Sequence, residues 1–174
     1  MDNTGPQIHD ILIKETTIQA RVSELGAEIS QEHPDNLLLV GILRGALYFL
    51  ADLSRAIPTP VEIDLISVSS YTGTQSSGTV TLLKDLDGEI AGRQVILIED
   101  IIDTGQTLSA IIALLKDRNP KSLQVCTLLD KPDRRIVPVP VDYCGFSIPD
   151  EFVVGYGLDY NQAYRNLPHI AILK

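Results

Sequence analysis

The chain has 174 residues, which suits one domain with a substantial buried core, and it carries a net charge of −9 at neutral pH. Its 44% hydrophobic and 21% charged residues are ordinary for a globular protein, and no apolar run approaches the roughly 18 residues of a membrane span. The acidic balance argues against nucleic-acid or membrane partners. An anionic small ligand would need local basic side chains, backbone N–H groups and a cation such as Mg²⁺.

Strands and helices alternate along the first three quarters of the chain. Apolar runs predict strands at 9–13, 37–40, 61–68, 80–83 and 122–129, and a further strand from 95 that ends in the acids Glu99 and Asp100. Residues at helical spacing predict three helices between them: one ended by His33-Pro34, one opened by Gly45 and one ended by Asn119-Pro120. From Lys131 onward five prolines and short β-like pieces replace this pattern. The alternation favours a parallel α/β sheet that the last segment caps.

The remaining features give few signs of other chemistry. Cys126 and Cys144 lie in predicted strands without CxxC spacing, which indicates reduced, buried thiols. The three histidines are scattered, so we expect no zinc site. The first ten residues are acidic and polar, with no basic region or apolar signal core. We therefore expect a cytoplasmic protein.

Residues 95–107, VILIEDIIDTGQT, are the most informative part of the chain. Four apolar residues run into Glu99 and Asp100, and Asp103 precedes a Thr-Gly-x-Thr turn that opens a helix. In open α/β sheets, ligands bind beyond the carboxyl ends of the strands, and a helix start offers free N–H groups to phosphate. Asp103 and Thr104 could serve as helix caps. Two further acids after an apolar strand favour a site for a phosphorylated, polyhydroxylated ligand.

EDIIDTGQT resembles the phosphoribosyl pyrophosphate (PRPP) signature of type I phosphoribosyltransferases, most closely the hypoxanthine-guanine branch and its small bacterial enzymes. Other segments resemble parts of that family in the same order along the chain. They are the pyrophosphate loop at Leu43-Arg44-Gly45, the catalytic loop at Ser70-Tyr71, the purine-contacting LLDK ending at Lys131, and the base-binding hood at Ile148–Tyr160 with Arg165. The likeness spans most of the chain.

The resemblance implies one domain over 1–174 with the type I phosphoribosyltransferase fold, in which helices flank a central, mainly parallel sheet. The core would lie at about 9–130. A small β-rich hood would lie mainly at 131–174, with some N-terminal residues. The low-complexity loop at 69–79 would be a lid over the site, although such a loop can also be an idle surface excursion.

The family's residues map onto this chain in three groups. Glu99 and Asp100 would bind the ribose hydroxyls and, with Asp159, hold Mg²⁺ directly or through water or ribose hydroxyls. The 5′-phosphate would lie in the turn formed by Asp103, Thr104, Gly105, Gln106 and Thr107. Gln106 stands where some relatives have Lys, so binding there would depend more on backbone dipoles.

Pyrophosphate would be bound by Arg44, Gly45, Ser70, Tyr71 and Arg165. Without the resemblance, Arg44 would be an ordinary basic residue in a turn and Tyr71 an ordinary aromatic residue in a loop. The resemblance implies that the Arg44 guanidinium binds pyrophosphate and that Tyr71 lies at the tip of the lid. The resemblance also implies a non-proline cis peptide bond between Leu43 and Arg44.

The purine would be bound by Lys131, Phe152, Val153 and Asp159. Lys131 would donate to the 6-oxo group and so select against adenine, whose 6-amino group is itself a donor. Phe152 would stack on the base, although it could instead be a core aromatic. Val153 would act through its main chain. Asp103 would be the general base or acid at N7 and the catalytic residue.

These roles imply purine salvage, in which PRPP and hypoxanthine, and also guanine, give the nucleoside monophosphate and pyrophosphate. The family further implies a homodimer or homotetramer. Two alternatives are a non-catalytic regulator on the same fold that senses PRPP or nucleotide, and a sister transferase that prefers xanthine. Two observations argue against the regulator. It would not require the purine-contacting residues Lys131 and Phe152, and a chain of net charge −9 lacks the basic surface that nucleic-acid binding requires.

Overall fold

The computed structural model describes residues 7–70 and 80–174. The elements in chain order are β1 (Ile8–Ile13), α1 (Glu15–Glu32), β2 (Leu37–Ile42), α2 (Leu47–Ala56), β3 (Val61–Ser70), β4 (Val80–Lys84), β5 (Gln94–Ile102), α3 (Gln106–Lys116), β6 (Ser122–Asp130), a 3₁₀ turn (Pro132–Arg134), β7 (Tyr143–Ser147), β8 (Val153–Val154) and β9 (Ile170–Leu173). Tyr71 and most of the predicted lid lie outside the described residues.

The large sheet has six strands in the order β4-β3-β2-β5-β6-β7. All neighbouring pairs are parallel except β3 and β4, which are antiparallel. The predicted fold class, a mainly parallel sheet flanked by helices, is therefore confirmed. From β2 the chain moves outward to β3 and β4, whereas from β5 it moves outward the other way to β6 and β7. The boundary between β2 and β5 is thus the switch point where such sheets bind ligands.

Alternating side chains of the central strands bury two cores, one on each face of the sheet. On β2, Leu37 and Leu39 pack in the core beneath α1 and α2, whereas Leu38 and Val40 pack in the core beneath α3. All six residues of β2 are buried because both faces of the sheet are covered there, which explains why the strand is a continuous apolar run. The rigid sheet between the two cores holds the ends of β2 and β5 in place.

The second helix begins two residues later than predicted. Gly45 lies in the turn after β2, and α2 begins at Leu47 rather than at the glycine. The predicted helical residue Ala46 is buried as the N-cap, but Leu47 is 49% exposed. Phe49 and Leu53 supply the buried face together with Leu50. Gly45 and Ala46 therefore belong to the turn that also contains Arg44. The Leu43–Arg44 peptide bond in this turn is cis.

The acidic strand is longer than predicted. The sequence pattern placed the two acids at its end, but β5 continues past Glu99 and Asp100 to Ile102. Its pairing with β2 ends at Ile98, whereas its pairing with β6 continues to Ile102. The acids therefore lie on a strand that is held on one side and open toward the loop after β2 on the other.

A small antiparallel sheet in the order β1-β9-β8 lies beside the large one and joins the N-terminal strand to the end of the chain. The stretch at 131–174 also contributes β7 to the large sheet, so the β-rich hood is built from β1, β8 and β9. Among the described residues, no helix is long and apolar enough to cross a membrane.

Candidate active site

A cavity of about 230 Å³ opens at the carboxyl end of β5. It is lined by residues 99–105, Thr107 and Leu108, which include most of the segment predicted to bind a phosphorylated ligand. The strand supplies the acids at the back of the cavity, and the turn into α3 supplies its floor. The structure thus brings the two halves of this predicted site together around one space.

Glu99 and Asp100 form an acidic pair removed from solvent, with Glu99 buried and Asp100 half-buried. The Glu99 side chain is only 9% exposed, and its burial raises its pKa well above the usual range, with the neighbouring Asp100 charge adding to the effect. Burial also raises the pKa of Asp100, although hydrogen bonds and the more distant charge of Arg165 oppose the shift. Two desolvated carboxyls side by side favour a partner that supplies protons or positive charge, such as ribose hydroxyls or a cation.

The turn between β5 and α3 is shaped for a small anion. Gly105 has φ of 84°, the left-handed region that favours glycine, and it precedes the first residue of α3. A Cβ there would collide with the carbonyl oxygen of Val137 and press on Arg135. The N-cap of α3 is Gly105, which has no side chain, but the Thr104 hydroxyl accepts the N–H of Gln106, the first helical residue, over 3.4 Å. Thr104, and not Asp103, therefore contacts the helix start, and the next N–H groups of the helix face the turn, where they attract an anion.

Residues 134–137, which were not predicted as part of the site, pack against this turn. The backbone N–H groups of Ile136 and Val137 donate to the Thr104 carbonyl over 2.9 and 3.0 Å. Arg134 Nε donates to Asp103 Oδ1 over 2.9 Å, and Arg135 Nε donates to the Asp103 carbonyl over 3.2 Å. The only sequence signal for this contact was the ProAspArgArg run directly after the LLDK segment, and nothing in that run indicates that its arginines reach Asp103.

The loop after β2 packs against the acids with almost no free space. A Cβ on Gly45 would overlap the Asp100 carboxylate, and a Cβ on Gly157 would overlap the Gly45 carbonyl. Leu43 is anchored by donating its N–H to the Ile66 carbonyl over 2.8 Å. Three segments that are distant in sequence therefore meet here, and Arg44 projects from their junction.

The two arginines predicted to bind pyrophosphate share one acceptor. Arg44 Nη1 and Arg165 Nη2 both donate to the side-chain oxygen of Gln162, over 3.0 and 3.2 Å. Arg165 also pairs with Asp159 over 2.8 Å and donates to the Gly157 carbonyl over 2.7 Å. Gln162 was not predicted as a site residue. Ser70 ends β3, and Tyr71 lies outside the described residues.

The residues predicted to bind the purine lie where β6 meets the hood. The Lys131 side chain is buried, and its Nζ donates to the Glu151 carbonyl over 2.7 Å. The next residue, Phe152, is 53% exposed and meets Tyr160 edge to face at 5.9 Å between ring centroids, so it is not a core aromatic. Val153 is buried in β8, which fixes the main chain beside the exposed ring.

Oxygen ligands for a hard cation are available, but they are not assembled in advance. Within residues 7–70 and 80–174, no three His, Cys, Asp or Glu side chains are grouped as a metal site. Asp159 is engaged with Arg165 and accepts the Gln162 N–H over 2.8 Å. The buried Glu99–Asp100 carboxyls suit Mg²⁺ chemically, since Mg²⁺ is commonly held by one or two carboxylates together with water and substrate oxygens.

Comparison with known proteins agrees with this geometry. A sequence model of the phosphoribosyl transferase domain matches residues 11–161. The hypoxanthine phosphoribosyltransferase of Salmonella typhimurium is 52% identical over 165 residues, 92% of this chain and 93% of the relative. The hypoxanthine-guanine phosphoribosyltransferase of Bacillus subtilis is 51% identical over 169 residues, 96% of this chain and 94% of the relative.

The fold agrees as well. A solved structure of hypoxanthine phosphoribosyltransferase from Trypanosoma cruzi, in complex with the product IMP, superposes with a TM-score of 0.91 at 39% identity, covering 96% of this chain and 95% of that one. The chain therefore belongs to the phosphoribosyltransferase family and has its type I fold.

The contact between Gly45 and Asp100 predicts that Gly45→Ala lowers the free energy of unfolding by about 1–3 kcal/mol, because the added Cβ must displace a buried carboxylate or the loop itself. Urea unfolding measures the change. Gly88→Ala is the matched control, since a Cβ there meets nothing within 4 Å. Equal stability of the two variants would contradict the close packing described here.

Proposed function

We infer that this chain transfers the 5-phosphoribosyl group from PRPP to hypoxanthine, and also to guanine, releasing pyrophosphate. The observation that carries the inference is the buried Glu99–Asp100 pair between a phosphate-binding turn and a loop bearing Arg44. The names of the bacterial relatives, at 51 and 52% identity over nearly the whole chain, agree with it. The bond that breaks is the one from the ribose anomeric carbon to pyrophosphate, and the bond that forms joins that carbon to purine N9.

We propose that Glu99 and Asp100 accept hydrogen bonds from the ribose hydroxyls while the 103–107 turn binds the 5′-phosphate. Fixing both ends of the ribose orients its anomeric carbon, which lowers the entropic part of the barrier. Glu99, Asp100 and Asp159 would hold Mg²⁺, which when bound would supply positive charge for the leaving pyrophosphate. Arg44 and Arg165 add donors for the same leaving group.

Asp103 is proposed as the group that moves the purine proton. As N9 attacks the anomeric carbon, positive charge develops on the purine, and a carboxylate near N7 can accept its proton. Without substrate this carboxylate pairs with Arg134, a contact with 43–47% exposure on both sides. An ion pair this exposed is weak, so the purine can replace the arginine at little cost.

Base selection is assigned to Lys131 and Phe152. An ammonium has three N–H donors, and the Glu151 carbonyl takes one of them, which leaves others for a 6-oxo group. The exposed ring of Phe152 offers a face on which the planar base stacks. Adenine would place an amino group against the ammonium and leave both donors unpaired.

We further propose that the chain works in the cytoplasm as a single-domain protomer of a homodimer or homotetramer. Closed symmetry is the usual arrangement of soluble oligomers. Cys126 and Cys144 are both free thiols, which suits a reducing compartment; Cys126 is buried as predicted, whereas Cys144 is only half-buried. Size-exclusion chromatography with light scattering measures the assembly directly.

The function predicts turnover of hypoxanthine and guanine, but not adenine, when each base is mixed with PRPP and Mg²⁺ and followed by ultraviolet absorbance. Preferential turnover of xanthine would identify a sister transferase instead. Folded protein that binds PRPP but is silent with all four bases would support the non-catalytic regulator.

Asp103→Asn is expected to lower kcat by about 10² or more, because the amide cannot accept the purine proton, while KM for PRPP changes little. Asp133→Asn, at an exposed position in the adjacent 3₁₀ turn, is the control and is expected to behave like the natural chain. Near-normal turnover of Asp103→Asn would remove Asp103 from its proposed role.

Lys131→Met is expected to reduce the preference for hypoxanthine over adenine, measured as a ratio of kcat/KM, by about tenfold or more. KM for PRPP should stay near that of the natural chain. Lys131 also holds the Glu151 carbonyl, so thermal unfolding of the variant must be compared with that of Lys121→Met, an exposed control. A preserved base preference in folded protein would contradict the assignment.

A further inference from the structure

The hairpin at Tyr160–Ala163 has Gln162 at a turn position with positive φ, where glycine is usual. Tyr160 and Ala163 exchange both backbone hydrogen bonds, at 3.1 and 3.0 Å, so Asn161 and Gln162 form a two-residue turn. Both have positive φ, 50° and 68°. Such turns strongly favour Asn followed by Gly, and Gln at the second position is strained. Gln162 in a conformation that glycine adopts with less strain indicates that its side chain has a function at this position.

The side chain of Gln162 joins the two arginines of the pyrophosphate site. Its oxygen accepts from Arg44 over 3.0 Å and from Arg165 over 3.2 Å. Its backbone N–H donates to Asp159, which in turn pairs with Arg165. One residue therefore connects the loop after β2 with the turn after the hood strand, which are far apart in sequence.

Arg165 has an unused donor in this arrangement. Its Nε is buried, and no partner for it lies among the described residues. A buried charged donor without an acceptor is costly, and an anion in the adjoining space would satisfy it. The unsatisfied Nε and the shared Gln162 oxygen both indicate that the guanidinium pair is arranged for an oxyanion.

Two guanidinium groups brought to one place repel each other, and each long side chain gains freedom by moving away. The oxygen between them opposes both effects. Because an amide is neutral, its hydrogen bonds are weaker than those of a charged phosphate oxygen. The incoming anion therefore replaces the amide oxygen readily and meets two arginines that are already in position.

We propose that Gln162 is a positioning residue that holds Arg44 and Arg165 together for pyrophosphate, its oxygen occupying the place of a pyrophosphate oxygen in the unliganded protein. The inference rests on the proposed function, which assigns pyrophosphate to these arginines. It adds a residue that touches no reacting atom and that acts through both guanidinium groups.

The test compares four variants for stability and for pyrophosphate binding. Gln162→Gly removes the bridge and the backbone strain, whereas Gln162→Met removes the bridge and keeps the strain. Gln162→Glu keeps an acceptor of the same reach. Asn161→Gly alters the neighbouring turn position and leaves the bridge in place. Thermal unfolding reports stability, and calorimetric titration with pyrophosphate, with and without Mg²⁺, reports binding without requiring turnover.

We expect Gln162→Gly to unfold at a higher temperature than the natural chain yet bind pyrophosphate about 5- to 10-fold more weakly, because the arginines must be ordered on binding. Gln162→Met should bind as weakly without the gain in stability. Asn161→Gly should bind like the natural chain. Gln162→Glu should bind more weakly than the natural chain, because its charged oxygens hold the arginines more strongly and repel the incoming anion. A purely structural role cannot separate stability from affinity in this way.

KM values separate this inference from the proposed function. In an active enzyme, Gln162→Gly should raise KM for PRPP and leave KM for hypoxanthine within about twofold. Full activity of the natural chain with unchanged pyrophosphate affinity in Gln162→Gly and Gln162→Met would overturn the role of Gln162 alone. A natural chain that neither turns over PRPP nor binds pyrophosphate would overturn both.

Discussion

Glu99 and Asp100 lie side by side on β5 beyond the last residue that pairs with β2, and burial raises the pKa of both carboxyls. The neighbouring segments are arranged around this pair. Gly45 approaches so closely that no side chain fits between it and Asp100, and Gly157 approaches Gly45 in the same way. A buried acidic pair is unfavourable by itself. It is retained at the switch point of a rigid sheet, where a hydroxylated ligand and a cation can offset that cost.

Most charged groups around the cavity have internal partners. Asp103 pairs with Arg134, Asp159 pairs with Arg165, and Lys131 donates to the Glu151 carbonyl. These contacts keep the site assembled without ligand, since an unpartnered charge in a partly buried cleft is costly. They differ in strength because they differ in exposure. The Asp103–Arg134 pair is open to water, whereas Lys131 is buried, which suits the proton transfer proposed for Asp103 and the base selection proposed for Lys131.

The overall charge of −9 is compatible with a polyanionic substrate because the positive charge is local. Arg44 and Arg165 are joined through Gln162, and Lys131 directly follows the end of β6, so the three positive charges come from different segments. The backbone N–H groups of the α3 turn add partial positive charge without any further side chain. Affinity for the substrate then depends on how these few donors are oriented rather than on the average field of the protein.

The sequence alone determined the class of fold, the acidic strand and the phosphate turn, because period-2 and period-3.6 patterns and a contiguous motif are local properties of the chain. The resemblance then supplied Arg44, Lys131, Phe152 and Arg165 with roles. Two element ends were wrong. Gly45 belongs to a loop rather than a helix, and β5 runs past its acids because β6 continues to pair with it.

Only the tertiary structure decided which distant residues meet. No local pattern indicates that Arg134 reaches Asp103, or that Gln162 joins Arg165 to Arg44, which precedes Gln162 by 118 positions in the sequence. Such contacts depend on how the hood packs against the ends of β2 and β5, which is set by many small steric fits, such as that of Gly157 against Gly45. Local sequence determines the elements and their chemistry, while the packing of remote segments determines the partners of each charged side chain.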